Sequence, residues 1–387
     1  MKILMTSDTF LPLIGGAEIH VQNLIEELEK DGNSIVLVTN ETRVSDFDKS
    51  HSVIRTPWNR KGILPLFLLL WHESKEADII HCHYSYRLSA VACIVGRLRN
   101  IPVVVVLHGL GTLNIPHAEF IYRTIHSIYR YISLVFSTHI ISTSDDLAQV
   151  ARKYVSNKKI SIILNGYDKE KFNTNVSISD SLRKQYENNH VILTVRRLVP
   201  KNGIHFLVEA IPYIVAKIPN IKYVMIGDGR MREYIEERIN KLGIQKYIDM
   251  LGSVENDQIP AYLKLAEVVV FPSTAESSSI ACAEAMGMGK GIVASRVGGL
   301  PELLGKNEER GRLVRLVSWE GSNYDAPLSL GKERYQELAD VISESILTPD
   351  ITRATAALQY AEKELSWEAI GKKTLAVYSS LINRNEK

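Results

Sequence analysis

Two doubly wound α/β units in tandem are the fold class this chain predicts, on three observations. Short apolar, β-branched runs alternate with helical segments over most of the length, as in parallel sheets covered on both faces by helices. The alternation is interrupted in the stretch 173–189, rich in Asn, Ser, Asp and Lys, and then starts again. The chain has 387 residues, enough for two domains of ordinary size.

Taken in order, Ile3-Leu4-Met5 reads as a strand running into a loop with Gly15-Gly16, then an amphipathic helix from about Ala17 to Lys30. Strands follow at Ile35–Thr39, Asp78–His83 and Val103–Leu107, with a helical segment near Ala90 to Arg99 between the last two. His139–Ser142 and Ile160–Leu164 complete the first set. Beyond the polar stretch come a strand at Val191–Val195, a helix from Ile204 to Ile218 and a strand at Tyr223–Ile226. A Gly227-Asp228-Gly229 turn then leads into a helix ending at Lys241. Met250–Gly252, Glu267–Phe271 and Gly291–Ala294 read as further strands, and Trp367 to Asn383 as a last helix with no strand after it. The expected divisions are 1–172, 173–360 and a terminal helical segment 361–387. Ligands of doubly wound sheets bind outside the carboxyl ends of the strands, so loops there are the default site, and two such units would set those loops about one cleft.

Composition narrows the function classes. Hydrophobic content of 45% and charged content of 23% are those of a globular protein. A formal charge of +2 argues against a dedicated nucleic-acid binder, which carries a strong basic excess. Cys82, Cys93 and Cys282 are too few and scattered for a disulfide framework or a C-x-x-C metal site, so a reducing, cytoplasmic setting is the default. No signal-peptide layout or membrane-spanning run is legible; the apolar run Ile63–Trp71 is short and holds Pro65. The aromatic segment Glu119–Phe136, with Arg123 and Arg130, reads either as a buried helix or as a peripheral membrane contact.

The stretch Val268–Met286 carries the most chemistry. An apolar strand feeds a serine-rich helix start, with Glu276 and Glu284 eight positions apart. A helix N-terminus offers unpaired amides and the positive end of its dipole, which suits a phosphate. A carboxylate beside it suits the hydroxyls of whatever bears that phosphate, and a nucleotide sugar has both parts. The alternative is a helix-capping Glu276 and an exposed Glu284. A hydrolase pair is disfavoured: eight helical residues span roughly 12 Å, against the about 5–9.5 Å such pairs need.

Arg196, Arg197 and Lys201 directly follow a strand and precede a helix, where a planar guanidinium and a compact ammonium suit phosphate oxygens; a solvated loop is the other reading. Gly15-Gly16, Gly227-Asp228-Gly229 and Gly298-Gly299 permit close backbone approach to a ligand, or serve as plain turns. His108 ends the strand Val103–Leu107, placing a hydrogen-bonding imidazole at the binding edge. His81-Cys82-His83 lacks further ligands at metal-site spacing, and neither Walker A nor a nucleophile elbow is present.

In order along nearly the whole chain, these motifs resemble the retaining GT-B glycosyltransferases of family 4. The matches are Gly15-Gly16-Ala17-Glu18, His108-Gly109, Asn165-Gly166-Tyr167-Asp168, Arg197-Leu198-Val199-Pro200, Gly227-Asp228-Gly229, Glu276 with Glu284, and Val297–Glu302. The resemblance implies sugar transfer from a nucleoside diphosphate donor, UDP- or GDP-linked, to a glycan or lipid-linked hydroxyl, with retention and no required metal or other cofactor. It implies an acceptor-side first domain, a donor-binding second domain, and a C-terminal helix returning to the first. Arg197 and Lys201 would stabilise the departing phosphate, Glu276 would hold donor-sugar hydroxyls, Glu284 the ribose, and His108 the transferring sugar. Ser278, Ser279 and Ile280 would meet the diphosphate, and Gly15 and Gly16 would approach it. Gly227, Asp228, Ser253 and Val254 complete the expected donor set, the last two through backbone contacts to the base. Two departures stand out: Asn202 holds the place of the usual Lys, leaving open whether Lys201 or Asn202 reaches the phosphate. Ser277-Ser278-Ser279 replaces the usual Gly-Phe-Gly. A nucleotide-sugar epimerase and a non-catalytic nucleotide-sugar binder are the rival readings.

Overall fold

A computed structural model describes residues 1–57, 62–109, 120–317 and 328–385. They form two compact units, Met1–Gly166 with Trp367–Lys387, and Tyr167–Ser366.

The first unit contains β1 (Lys2–Ser7), α1 (Gly16–Lys30), β2 (Ser34–Thr39), β3 (Ser52–Arg55), α2 (Ile63–Glu73), β4 (Ile79–His83), α3 (Arg87–Arg99), β5 (Val103–Leu107), α4 (Phe120–Phe136), β6 (His139–Ser142), α5 (Asp145–Ala151) and β7 (Ile160–Ile162). Its seven strands are all parallel, in the order β3-β2-β1-β4-β5-β6-β7. The central strands β4 and β5 are buried along their whole length, which is why they read as continuous apolar runs rather than alternating ones. Strand order reverses between β1 and β4, so the binding edge is the loops after these two strands.

The second unit contains α6 (Asp180–Tyr186), β8 (His190–Val195), α7 (Ile204–Val215), β9 (Ile221–Ile226), α8 (Arg232–Leu242), β10 (Ile248–Gly252), α9 (Ile259–Leu265), β11 (Val268–Phe271), α10 (Ile280–Gly287), β12 (Gly291–Ser295), α11 (Leu300–Leu304), β13 (Arg312–Val314), α12 (Lys332–Leu347) and α13 (Ile351–Tyr360). Six parallel strands run β10-β9-β8-β11-β12-β13, with the switch point between β8 and β11. The sheet and α7, α8 and α12 enclose a core that includes Phe206, Ile211, Tyr223, Ile235, Leu338 and Ile342. The last helix, α14 (Trp367–Asn385), belongs to the first unit and packs along α1.

Several elements are absent from the sequence reading, among them strands β3 and β13 and helices α2, α12 and α13. Strands β3 and β13 are sheet edges of four and three residues, in which Ser52, Arg55 and Arg312 cut the apolar run to two residues. Helix α2 forms despite Pro65, which lies in its first turn, where a missing N–H costs no intrahelical bond. The chain changes unit at Gly166/Tyr167, a few residues ahead of the composition-based division. Tyr167 and Phe172 are buried, the Tyr167 N–H donates to the Leu365 carbonyl at 2.8 Å, and Tyr167 bridges Ser366 within the second unit. The polar stretch that suggested a boundary includes a surface helix of that unit, α6.

Candidate active site

In the second unit, Arg196 and Arg197 directly follow β8 and Pro272–Ser279 follow β11, so both loops leave the strands that flank the switch point. There Arg196 Nη2 forms an ion pair with Glu276 Oε2. Its Nη1 donates to Ser279 Oγ at 3.2 Å and its Nη2 to Asn202 Oδ1 at 3.4 Å. Both partners of the pair are nearly enclosed, with side chains 10% and 11% exposed. Burial alone would raise the Glu276 carboxyl; the Arg196 and Lys201 cations outweigh it and hold the group below its ordinary 4.5, so it stays ionised. The Lys201 ammonium is pushed down by burial and by the two arginines, against the pull of Glu276.

Arg197 has a different place. Its side chain is exposed and its guanidinium makes no hydrogen bond or ion pair among the described residues. Arg196 holds Glu276, while Arg197 is available to a ligand. Asn202 is buried and spends its amide on the Arg197 carbonyl, at 2.8 Å, so it shapes the loop.

The serines after Glu276 start α10. Ser279 is its N-cap, accepting from Cys282 N at 3.2 Å, and Ile280 is its first residue. The first turn of α10 therefore starts beside Arg196, its amides at Ile280 and Ala281 lying outside the intrahelical ladder, with Ser278 buried alongside. Glu284 lies one turn further on and is half-buried; burial first, and Asp168 second, push its carboxyl up to about 7 against the pull of Lys171.

Two glycines fix these loops. Gly298 has φ +54°, and a Cβ there would stand 1.5 Å from the Glu276 carbonyl oxygen. Gly227, at φ +130°, would likewise place a Cβ 2.0 Å from the Arg196 carbonyl oxygen. The glycine turns read as ligand contacts thus pack against the two charged loops, and Asp228 accepts from Gly229 N at 2.7 Å. Ser253 and Val254 follow β10 at the same edge of the sheet, Ser253 exposed. Gly298→Ala should displace Glu276 and lower kcat/KM by about 10²-fold, the usual result of an ångström-scale misplacement. Activity within a few-fold of the parent, in a folded variant, would show that the Glu276 loop tolerates the shift.

The first unit gathers imidazoles at its own binding edge. His108, after β5, has Nε2 2.8 Å from Nδ1 of His83, the last residue of β4. His20 on α1 lies with its ring centroid 4.8 Å from that of His108 and 5.4 Å from Trp367, and its Nδ1 meets Asn165 Oδ1 at 3.0 Å. His81 Nδ1 bonds the Tyr378 hydroxyl of α14. Burial lowers all four: His20 to about 4, His81 to about 3, His83 and His108 well below 6.5. These are neutral rings, suited to hydrogen bonding rather than to charge. Ligand atoms of His20, His83 and His108 lie within 4.8 Å of one another. Two of the ring nitrogens are taken up by the His83–His108 contact and one by Asn165. Gly15 caps α1 and Gly16 begins it; Glu18 in its first turn accepts from Thr9 Oγ1 at 2.5 Å and from the Tyr84 hydroxyl at 3.4 Å.

In the second unit the structure brings together Lys201, Glu276, Ser278, Ser279 and Ile280, all named by the sequence; His108 and Gly16 stand in the first unit. The sequence reading assigned Arg196 no role of its own and did not place His20 or His83 at the site. Two adjacent arginines after one strand were the visible signal for the first, since neighbouring residues must point apart. His20 and His83 lie far from His108 in sequence, and only the sheet order joins them.

A family model described as Glycosyltransferase Family 4 matches residues 14–171, and one described as Glycosyl transferases group 1 matches residues 179–322. An uncharacterized glycosyltransferase of Methanocaldococcus jannaschii is 27% identical over 98% of both chains. The phosphatidylinositol N-acetylglucosaminyltransferase gpi3 subunit of Schizosaccharomyces pombe is 25% identical, covering 98% of this chain and 81% of its own length. The crystal structure of Anabaena HepE in complex with UDP superposes with a TM-score of 0.79 at 24% identity, covering 98% of this chain and 100% of HepE. At that identity the likeness is one of fold.

Proposed function

The chain belongs to the family 4, group 1 glycosyltransferases of GT-B fold, and from that premise we propose that it transfers a sugar, with retention, from a UDP- or GDP-linked donor to a hydroxyl on a glycan or lipid-linked acceptor. The observation that carries this reading is an ionised Glu276 pinned by Arg196 beside an exposed Arg197 and the N-terminus of α10. A diphosphate fits the amides and Arg197; sugar hydroxyls fit the carboxylate. UDP in HepE supports the uridine donor, and the name of the fission-yeast relative supports a lipid-borne acceptor.

In the reaction, the bond between the anomeric carbon and the β-phosphate oxygen breaks, and the acceptor oxygen bonds to the same face of that carbon. The acceptor proton passes to the leaving phosphate. Negative charge grows on the diphosphate, so fixed cations and amides aimed there lower the barrier. Arg197, Lys201 and the first turn of α10 supply them, and no metal is needed. Glu276 orients the sugar, and Glu284 accepts from the ribose hydroxyls. Gly227, Asp228, Ser253 and Val254 border the nucleotide. In the first unit, His108 donates to or accepts from the sugar, and Gly15 and Gly16 let the backbone approach the diphosphate.

The test is a thermal-shift screen of UDP-, GDP- and ADP-sugars, followed by nucleotide release with and without acceptor. Acceptor-dependent release of the nucleoside diphosphate, with the donor's anomeric configuration kept in the product by NMR, is the expected result. Donor consumption without acceptor and without a glycoside would instead mark an epimerase; binding without turnover would mark a non-catalytic binder.

Glu284 gives this reading a pH signature. Its carboxyl, raised to about 7, is largely protonated below that value and then cannot accept two hydroxyls. The donor KM should therefore rise as pH falls below 7, by up to about tenfold per unit, and Glu284→Gln should flatten the profile. For stability the sign is opposite: a carboxyl with a raised folded value stabilises most below its ordinary 4.5, and that contribution is lost as pH rises through 7.

A further inference from the structure

We propose that the second unit holds a further ligand site, for a small organic phosphate with an apolar body, in a cavity at the sheet edge opposite Arg196 and Glu276. The cavity measures about 740 Å³, within the about 300–1,000 Å³ typical of small-molecule sites. Glu267 just ahead of β11, Gly291 at the start of β12 and Arg312 at the start of β13 line it. Arg196 and the stretch Pro272–Ser279 instead follow the carboxyl ends of β8 and β11, and in a parallel sheet the two kinds of strand end lie on opposite edges.

The charges around this cavity do not cancel. Each carboxylate that lines it has a partner: Glu344 Oε2 pairs with Arg312 Nη2 at 2.9 Å, Asp350 Oδ2 with Arg353 Nη1 at 3.3 Å, and Glu267 Oε1 meets His190 Nδ1 at 3.0 Å. Lys264, Lys290 and Arg310 also line it, and they form no ion pair among the described residues. Lys290 Nζ donates to the Lys264 and Ala266 carbonyls at 2.8 and 2.9 Å, and Lys264 Nζ donates to the Thr174 carbonyl. Arg310 gives Nε and Nη2 to the Leu303 and Glu302 carbonyls, at 2.7 and 2.9 Å, with its guanidinium 3.9 Å from the Tyr360 ring centroid. Neutral oxygens thus fix three cations in place without cancelling their charge. Burial first, and the Lys264 charge second, lower the Lys290 ammonium to about 8 against the pull of Glu267. A bound anion supplies the missing counter-charge, and two ammoniums with a guanidinium suit the oxygens of a phosphate.

The rest of the lining selects the body of the ligand. Met288, Ile292 and Leu358 form an apolar wall, and Ile351, 76% exposed, opens α13 beside it. A lone inorganic ion leaves that wall in water; a ring or short chain bearing the phosphate covers it. Met288, Gly289 and Lys290 directly follow α10, whose N-terminus carries Ser279, so the cavity and the candidate donor loops share one short helix.

The experiment treats the full chain with pyridoxal 5′-phosphate, whose phosphate meets the cations and whose ring meets the apolar wall. Its aldehyde condenses with a lysine amine, releasing water; borohydride reduces the imine, and peptide mass spectrometry locates the label. Lys290 or Lys264 should be labelled at least about tenfold faster than the exposed Lys363. Phenyl phosphate should protect them, and inorganic phosphate should protect them more weakly. UDP, at concentrations that block label at Lys201, should leave Lys290 and Lys264 reactive. Thr355→Glu sets a carboxylate on the exposed rim of the cavity and should weaken the protection by phenyl phosphate about tenfold. Thr355 is an exposed helical residue, so the fold should persist, checked by circular dichroism. Lys290→Met should remove the label and the phenyl phosphate effect together. Labelling no faster than at Lys363, equal protection by the two phosphates, unchanged protection in Thr355→Glu, or parallel protection of Lys290 and Lys201 by UDP overturns the proposal. The site does not rest on the transferase reading: failure of UDP to protect Lys201 counts against that reading alone.

Discussion

Arg197→Ala should lower kcat by about 10²–10³-fold, the usual consequence of removing one donor aimed at developing charge. Its melting temperature should stay within about 1 °C of the parent, because an exposed side chain without a partner contributes little to folding. The physical ground is the exposure of Arg197 beside a neighbour that is fully engaged. Steady-state kinetics with the best donor, alongside calorimetry, gives both numbers. A loss confined to KM would mean that Arg197 binds ground state and transition state equally. Unchanged kinetics would leave Lys201 and the α10 amides to carry the leaving group.

Arg196→Met should behave differently, losing activity and stability together. It strands the Glu276 carboxylate in a nearly closed site with Lys201 as the remaining compensating cation. Breaking such a pair costs about 3 kcal/mol or more, which corresponds to a melting shift of about 6–12 °C for a unit of this size. Glu276→Gln should reduce turnover by about 10³-fold through the lost sugar contact. The combined protein should be more stable than Arg196→Met alone, since no uncompensated charge remains; the double-mutant cycle measures that coupling. The sign with pH follows from the depressed Glu276 value. Its contribution to stability is present above the ordinary 4.5 and is lost as pH falls through the lower folded value. In Arg196→Met that protection should disappear, and the acid limb of the activity profile should move to higher pH. An additive cycle would mean that the pair does not act as one unit.

Much of this was legible along the chain. β1, β4, β5 and β11 announce themselves as apolar runs because both of their faces are buried, and burial on two faces is a local compositional demand. The start of α10 was equally plain: Ser279 caps it, and Glu276 stands just ahead of that cap. Spacing to these strand ends is enough to place Lys201, Glu276 and His108 at binding edges. Edge strands β3 and β13 were hidden because polar and charged residues, Ser52, Arg55 and Arg312, leave each only two consecutive apolar residues.

The sequence by itself determined two Rossmann-like units, the loops that carry charge, and which residue types stand there. Only the tertiary structure decided which arginine holds Glu276 and which one faces outward. That choice depends on how the loop after β8 meets the loop after β11, through contacts such as Gly298 against the Glu276 backbone and Gly227 against that of Arg196. It also decided that His20, His83 and His108 form one buried cluster of neutral rings, because sheet order, not chain order, sets β4 beside β5, and α1 packs there. Local pattern is fixed by what each segment must bury; pairing between distant side chains is fixed by packing, and packing is a property of the whole sheet.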